Sequence, residues 1–142
     1  MTIRTATPSD CEKMTILMGQ LGYADTKNFF SDKLAYLLKH PDYYILAADT
    51  DEHSVAGFLV LHIVFELGLA FNTGLVSYLV VGEQVRAQGI GKALEAQAEI
   101  LAKRRSCGRM QLHCSAHRPE AHRFYEKLGY IESPKYFSKT IE

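Results

Sequence analysis

Two kinds of apolar spacing alternate along the 142 residues of this chain. Apolar side chains three or four residues apart predict helices, the first beginning after Thr7 and ending before Gly22, the second covering residues 26–39. Shorter apolar runs bounded by polar or glycine-containing turns predict strands. The predicted strands are residues 2–7, 43–49, 55–65, 75–81, 109–115 and 136–141. Two further helices follow the fourth and fifth strands, so the order predicts an α/β sandwich formed by one domain, residues 1–142.

The most distinctive segment, Arg86-Ala-Gln-Gly-Ile-Gly-Lys92, joins a predicted strand to a helix. A glycine-rich turn that ends in a helix N-terminus presents free backbone N–H groups, and the helix dipole favours a bound anion there. Gly89 and Gly91 lack the Cβ atoms that would keep a phosphate away from the backbone. A P-loop needs Ser or Thr where Ala93 stands, and a dinucleotide fingerprint needs glycine where Leu94 stands, so neither pattern fits.

A second distinctive segment is Ala121-His-Arg-Phe-Tyr-Glu-Lys-Leu-Gly-Tyr130, a helical pattern that carries Phe-Tyr and ends at Leu-Gly-Tyr. One helix and one strand separate it from the glycine loop. An Arg-x-x-Gly-x-Gly loop followed by this segment resembles the acetyl-CoA-dependent N-acetyltransferases of the GNAT superfamily, over essentially the whole chain. The resemblance implies a single domain with a mixed central sheet flanked by about four helices.

The resemblance also implies which residues bind acetyl-CoA and which one acts in the chemistry. It places the co-substrate on backbone groups at the end of a strand and on the glycine loop, and it makes Tyr125 the donor of a proton to the leaving sulfur. A phenol with a pKa near 10 can protonate a thiolate whose thiol has a pKa near 8.5. The expected acetyl-CoA-binding residues are Leu79, Val80, Val81, Arg86, Ala87, Gln88, Gly89, Ile90, Gly91 and Lys92.

The sequence departs from the family at two positions. Ser77 stands where many relatives have a glutamate as general base, and serine alone cannot act as a base at neutral pH. The other candidates for the base are Glu66, Glu83, His113, His117 or a chain of waters, and the sequence does not choose among them. Arg118 stands where many relatives have an asparagine that contacts the cofactor. Its side chain is either solvated or in contact with a phosphate or carbonyl of the cofactor.

Composition narrows the function classes. The formal net charge is zero, which gives no attraction to nucleic acid or to an anionic membrane. The apolar stretch at residues 55–71 is too short to cross a bilayer and contains charge. Cysteines 11, 107 and 114 have no disulfide spacing, which indicates reduced thiols in a cytoplasmic protein. His113, Cys114, His117 and His122 lie close in sequence without the spacing of a metal site, so no metal is expected.

These observations leave one leading hypothesis and several alternatives. The leading one is an N-acetyltransferase that moves the acetyl group of acetyl-CoA to a primary amine, of a small molecule, by direct attack. The alternatives are a non-catalytic CoA-binding sensor or scaffold, a protein or peptide N-acetyltransferase, and a nucleotide-binding protein; a homodimer is compatible with each. The aromatic residues and the loop expected to wall the acceptor pocket are Tyr23, Phe29, Phe30, Tyr136, Phe137 and residues 68–74.

Overall fold

The computed structural model describes residues 1–113, 119–133 and 136–141. Its strands are β1 (Thr2–Thr5), β2 (Tyr43–Asp49), β3 (Gly57–Val64), β4 (Asn72–Val81) and β5 (Cys107–Leu112). Its helices are α1 (Cys11–Leu21), α2 (Phe30–Lys39), α3 (Ile90–Arg104) and α4 (Pro119–Lys127), with short 3-10 turns at Pro8–Asp10 and Glu83–Val85. The strands form one sheet in sequence order, antiparallel from β1 to β4, with β5 parallel to β4. The predicted α/β architecture with a mixed sheet is therefore confirmed.

The two faces of the sheet bury separate apolar clusters, because successive side chains of a strand point to opposite faces. Helices α1 and α2 cover one face, and α3 covers the other. The residues of β2 and β3 packed with α1 and α2 are Ile45, Ala47, Phe58 and Val60. Those packed with α3 are Leu46, Ala48, Leu59, Leu61 and Ile63. Strand β3 is the middle strand, as its apolar character on both faces predicts.

Two elements begin later than predicted because the backbone before them is in the left-handed region. Val55 has a φ of 49°, so β3 begins only at Gly57. Asp25 has a φ of 61°, and the carbonyl of Thr26 accepts the amide hydrogens of Phe29 and Phe30 in a turn, so α2 begins at Phe30 rather than at residue 26.

Strand β4 begins three residues earlier than predicted. Asn72 and Gly74 read as loop residues in the sequence, yet both are part of the strand. A Cβ on Gly74 would lie 2.7 Å from Met110 Sδ and 3.1 Å from Ala102 Cβ. The glycine is therefore required by the close approach of β5 and α3, and it does not mark a turn.

The strand predicted at residues 136–141 is wrong. These residues have no regular secondary structure. Phe137 is fully exposed and Ile141 is 92% exposed, so the apolar residues of this segment are not buried against the sheet. A strand needs a hydrogen-bonding neighbour, and the described residues supply none to this segment. None of the described helices is long and apolar enough to span a membrane.

Arg4 joins three parts of the chain near the start of the sheet. Its guanidinium donates two hydrogen bonds to Asp10, at 2.8 and 2.9 Å, and two to Asp49, at 2.7 and 3.2 Å. Asp10 precedes α1 and is 7% exposed, and Asp49 ends β2. The hydrogen bonds from Arg4 hold the pKa of each carboxyl below its ordinary value of 3.8.

The two carboxylates that Arg4 binds, those of Asp10 and Asp49, make the free energy of unfolding depend on pH. Because these pKa values are lower in the folded protein than in the unfolded chain, the native state binds fewer protons than the unfolded chain at about pH 4. Stability therefore falls as the pH drops from about 4. We expect Arg4→Met to weaken this dependence, since the two carboxyls lose the partner that lowers their pKa values. Urea unfolding between about pH 3 and pH 7 measures the slopes, with the exposed Arg104→Met as control. Equal slopes for Arg4→Met and the parent protein would contradict the assignment.

Candidate functional site

The site begins where β4 loses one of its two neighbours. Strand β4 pairs with β5 from Asn72 to the Val76–Leu112 pair, whereas its pairing with β3 continues to Val81. Beyond Val76, no described residue pairs with the side of β4 that faces β5, so this edge of the strand is open. Unpaired backbone N–H and C=O groups at such an edge are available to a ligand.

A β-bulge lies at the same point of β4. Val60 pairs with Tyr78 and Leu61 pairs with Val76, so Ser77 is an extra residue with no partner on β3. An extra residue reverses the alternation of side chains. Val76 packs on the α3 side of the sheet, Tyr78 packs on the α1–α2 side, and the Ser77 side chain is exposed.

The glycine loop leads from β4 into α3 in an unusual backbone conformation. Gly89, the residue before α3, has a φ of 81°, and Ala87 has a φ of 65°. Left-handed backbone costs a residue with a Cβ about 1–2 kcal/mol, and such strain is typical of ligand-binding loops. No side chain caps the first amides of α3. The loop therefore presents a helix N-terminus whose N–H groups are available to an anion.

Strand β4, the loop, α3 and α4 enclose one cleft of about 480 Å³. Its lining includes Leu79, Val80 and Val81 from β4 and the exposed cations Arg86 and Lys92. The remaining lining residues are Leu21, Ala87, Gly89, Gly91, Pro119, Glu120, Ala121, Phe124 and Tyr125.

Two expected cofactor-binding residues lie elsewhere. Ile90 is 2% exposed and packs into the core on the α3 side, so only its backbone can face a ligand. The Gln88 side chain is exposed and is not part of the cleft lining. Conversely, no sequence pattern predicts that Leu21 reaches the cleft from the end of α1 or that Glu120 lines it from the first turn of α4.

Helices α3 and α4 approach closely at Gly91. A Cβ at this position would lie 3.1 Å from Phe124 Cζ and 3.5 Å from Val81 Cγ2. Any larger residue must displace the Phe124 ring, which itself lines the cleft. Gly91 therefore has a packing role between β4, α3 and α4 in addition to the space that it leaves for a ligand.

The described candidates for the general base lie outside the cleft lining. Glu66 accepts hydrogen bonds from Thr73 and Arg109, which lower its pKa. Thr73 is near the start of β4, roughly 25 Å from Val81 at about 3.3 Å per residue, so Glu66 lies at the wrong end of the strand. The exposed Glu83 follows β4, and its amide donates to Gln20.

The exposed His113 follows β5, and its ring stacks on Tyr136 at 4.5 Å. His117, Arg118 and Cys114 lie outside the described residues. Among the described residues, no group of His, Cys, Asp and Glu could hold a metal ion.

The aromatic residues expected around the acceptor do not line the cleft either. Tyr23 packs edge-on against Tyr78, with ring centroids 5.7 Å apart. Phe29 is 47% exposed beneath the Lys33 ammonium, and Phe30 packs with the α1–α2 cluster. The loop at residues 68–74 precedes and begins β4, so it is at the end of the strand opposite to the cleft.

Comparison with known proteins gives the family. A model of the acetyltransferase (GNAT) family matches residues 12–130, which include the glycine loop and Tyr125. The aminoalkylphosphonate N-acetyltransferase of Salmonella typhimurium strain LT2 is 33% identical over 141 residues, covering 98% of this chain and 90% of that protein.

Solved structures share the fold. An aminoglycoside 6′-N-acetyltransferase from Acinetobacter haemolyticus is 26% identical over the whole of both chains, with a TM-score of 0.84. A transcriptional regulator from Bacillus halodurans C-125 is 24% identical over 99% of each chain, with a TM-score of 0.87, and shows the fold alone. Because the family model matches most of the chain and the Salmonella enzyme is similar along nearly all of it, this chain belongs to the acetyltransferase (GNAT) family.

Proposed function

We propose that this protein transfers an acetyl group from acetyl-CoA to the primary amine of a small molecule by direct attack of the amine. The proposal rests on one observation: a single cleft is lined by the end of β4, the N-terminus of α3 and Tyr125. The cleft therefore combines a strand edge, an anion site and a proton donor.

The residues at the start of α3 fit a pyrophosphate. A Cβ on Gly89 would meet no atom within 4 Å, so the loop is open on that side. The uncapped amides of α3 attract negative charge, and Arg86 and Lys92 add two cations at the mouth of the cleft. We infer that this end of the cleft holds the pyrophosphate of acetyl-CoA and that the open edge of β4 holds the pantetheine arm.

Bound acetyl-CoA supplies a thioester whose carbonyl carbon accepts the amine. As the N–C bond forms, the C–S bond breaks and the amine gives up a proton. Backbone N–H groups at the open edge of β4 stabilise the negative charge on the carbonyl oxygen. Tyr125 donates its phenolic proton to the departing sulfur and recovers one from solvent. Glu66, Glu83 and His113 do not line the cleft, whereas Glu120 does, and we propose that the amine gives its proton to water at the mouth of the cleft.

The proposal of a small-molecule acceptor rests on the relatives. The Salmonella relative is described as acting on aminoalkylphosphonates, and the Acinetobacter structure as acting on aminoglycosides. Both acceptors are small amines, and the Salmonella relative is 33% identical along nearly the whole chain. The cytoplasmic location, a homodimer and a single domain over residues 1–142 remain predictions.

Acetyl-CoA binding and turnover test the proposal together. We expect calorimetry to show micromolar affinity for acetyl-CoA and CoA, and thiol release to follow addition of an aminoalkylphosphonate or another small primary amine. Absence of binding would overturn the proposal. Binding without thiol release on any amine would favour the sensor or scaffold, release with peptides alone would favour a peptide N-acetyltransferase, and ATP or NAD competing with CoA would favour the nucleotide-binding alternative.

Gly91→Ala tests the close approach of α3 to α4. The added methyl requires the Phe124 ring to shift slightly, and overpacking of this kind costs about 1–3 kcal/mol. We expect affinity for CoA to fall about tenfold, which corresponds to about 1.4 kcal/mol. Gly19→Ala is the matched control, because a Cβ at this position in α1 meets nothing within 4 Å. It should raise stability by roughly 0.5–1 kcal/mol in urea unfolding and leave CoA affinity unchanged. Equal CoA affinities for the two variants would contradict the packing role of Gly91.

Tyr125→Phe tests the proton donor. Loss of one positioned acid should lower kcat by about 10²–10⁴-fold, while the dissociation constant of acetyl-CoA changes little, since the ring remains in the cleft. Thiol-release kinetics and calorimetry measure the two effects. Tyr36→Phe, the same change at a residue that is 68% exposed on α2, serves as control. A fully active Tyr125→Phe protein would reduce Tyr125 to a packing residue.

A further inference from the structure

A buried carboxylate on α3 has no role in the chemistry described so far. Glu95 is 5% exposed and lies beside the buried apolar residues Leu94 and Ala98 of α3. Burial raises the pKa of Glu95, because a carboxylate loses its hydration there. A buried carboxylate is costly unless a partner compensates for it. The Tyr130 hydroxyl donates a hydrogen bond of 3.0 Å to Glu95 Oε1, and the side chain of Glu99, one turn further along α3, also interacts with the Glu95 carboxyl.

Tyr130 is also attached to the end of α4. The Tyr130 amide donates to the carbonyl of Tyr125, and the Gly129 amide donates to the carbonyl of Glu126, each at 3.0 Å. Gly129 has a φ of 96°, which completes a Schellman motif. Tyr130 therefore binds the backbone of Tyr125 directly.

The two tyrosine rings are in contact as well. Their centroids are 5.9 Å apart and their planes meet at 68°, an edge-to-face arrangement. Phe124 contacts the Tyr125 ring from another direction, at 5.3 Å and 70°. The ring of Tyr125 is thus bounded by Phe124, which abuts Gly91, and by Tyr130, which is fixed on Glu95.

We propose that Tyr130, held by its hydrogen bond to the buried Glu95, is the positioning residue that orients Tyr125 for proton donation in the cleft. The inference rests on the proposed function of Tyr125. Helix capping alone accounts for the glycine and for the ring contact, and a phenylalanine at position 130 would serve both. Capping does not account for the bond that joins the Tyr130 hydroxyl to a buried carboxylate on another helix. That bond fixes the end of α4, and with it Tyr125, relative to the helix whose N-terminus forms the anion site.

A double-mutant cycle separates positioning from general support of the fold. The proteins are Tyr125→Phe, Tyr130→Phe and the double variant, with Tyr36→Phe as control, all assayed by thiol release with the amine that the parent acetylates best. We expect Tyr130→Phe to lower kcat on the order of tenfold, part of the roughly 10²–10⁴-fold that a positioned acid contributes. The dissociation constant of acetyl-CoA should stay within about twofold of the parent value, a change of about 0.4 kcal/mol, because Tyr130 is not part of the cleft lining. In the Tyr125→Phe background, Tyr130→Phe should have no further effect on kcat, because the hydroxyl that it positions is already absent.

Two variants of Glu95 keep the test decisive if Tyr130→Phe does not fold. Glu95→Leu removes the acceptor and replaces a buried carboxylate by an apolar side chain, which leaves the Tyr130 hydroxyl without this partner. Glu95→Gln keeps an acceptor for the Tyr130 hydroxyl and should restore most of the kcat that Glu95→Leu loses.

Each outcome supports or overturns the inference. A kcat that falls about tenfold in Tyr130→Phe, and that Tyr130→Phe leaves unchanged in the Tyr125→Phe background, supports the inference. An equal kcat loss from Tyr130→Phe in both backgrounds, or full activity of Tyr130→Phe or Glu95→Leu beside a slow Tyr125→Phe, overturns this inference and leaves the proposed function standing. A fully active Tyr125→Phe protein overturns both the acid role of Tyr125 and the inference, and a parent protein that acetylates no amine overturns the proposed function itself.

Discussion

Strand β4 pairs with β3 from Thr73 to Val81, apart from Ser77, but within the described residues it pairs with β5 only as far as Val76, and the cleft depends on that difference. A strand with neighbours on both sides has no backbone groups to offer a ligand, because the sheet uses them all. The bulge at Ser77 lies where the second neighbour ends. Its extra residue places Leu79 and Val81 on the α3 side of the sheet, facing the helices that complete the cleft. Without the extra residue, the side chains after Ser77 would point to the opposite faces.

The rest of the cleft requires α3 to begin close to that open edge. A Cβ on Gly57 would lie 2.8 Å from the carbonyl oxygen of Val80 and 3.1 Å from Ile90 Cγ2, so even the central strand leaves room for the end of β4 and the start of α3. Gly91 allows the same closeness between α3 and α4. The cleft is therefore formed by glycines that permit close packing, and its polar groups are backbone amides, the cations of Arg86 and Lys92, the Glu120 carboxylate and the Tyr125 phenol. Because backbone groups supply much of the proposed binding site, the short glycine loop is the part of the sequence that best indicates its function.

The sequence predicts those parts of the structure that depend on local pattern. Apolar periodicity predicts every described helix and the five strands of the sheet, and the resemblance to a known family implies that the glycine loop and the Tyr125 helix belong to one site. Features that depend on tertiary contact were missed. Gly74 looks like a turn residue until Met110 and Ala102 pack against it, and the bulge at Ser77 leaves no mark in the spacing of Leu75–Val81. The apolar residues after position 135 suggest a strand, yet pattern alone cannot show whether a neighbouring strand is present.

Charge is distributed in a way that suits recognition at contact distance. The formal net charge of the chain is zero, so positive charge is a local property of particular surfaces. At physiological ionic strength, exposed charges are screened over about 8 Å, which is comparable to the width of a helix. Arg86, Lys92 and the α3 N-terminus lie within one cleft and can act together over that distance. The proposed binding of a pyrophosphate at this end of the cleft therefore relies on charges that act at contact distance, and not on the net charge of the protein.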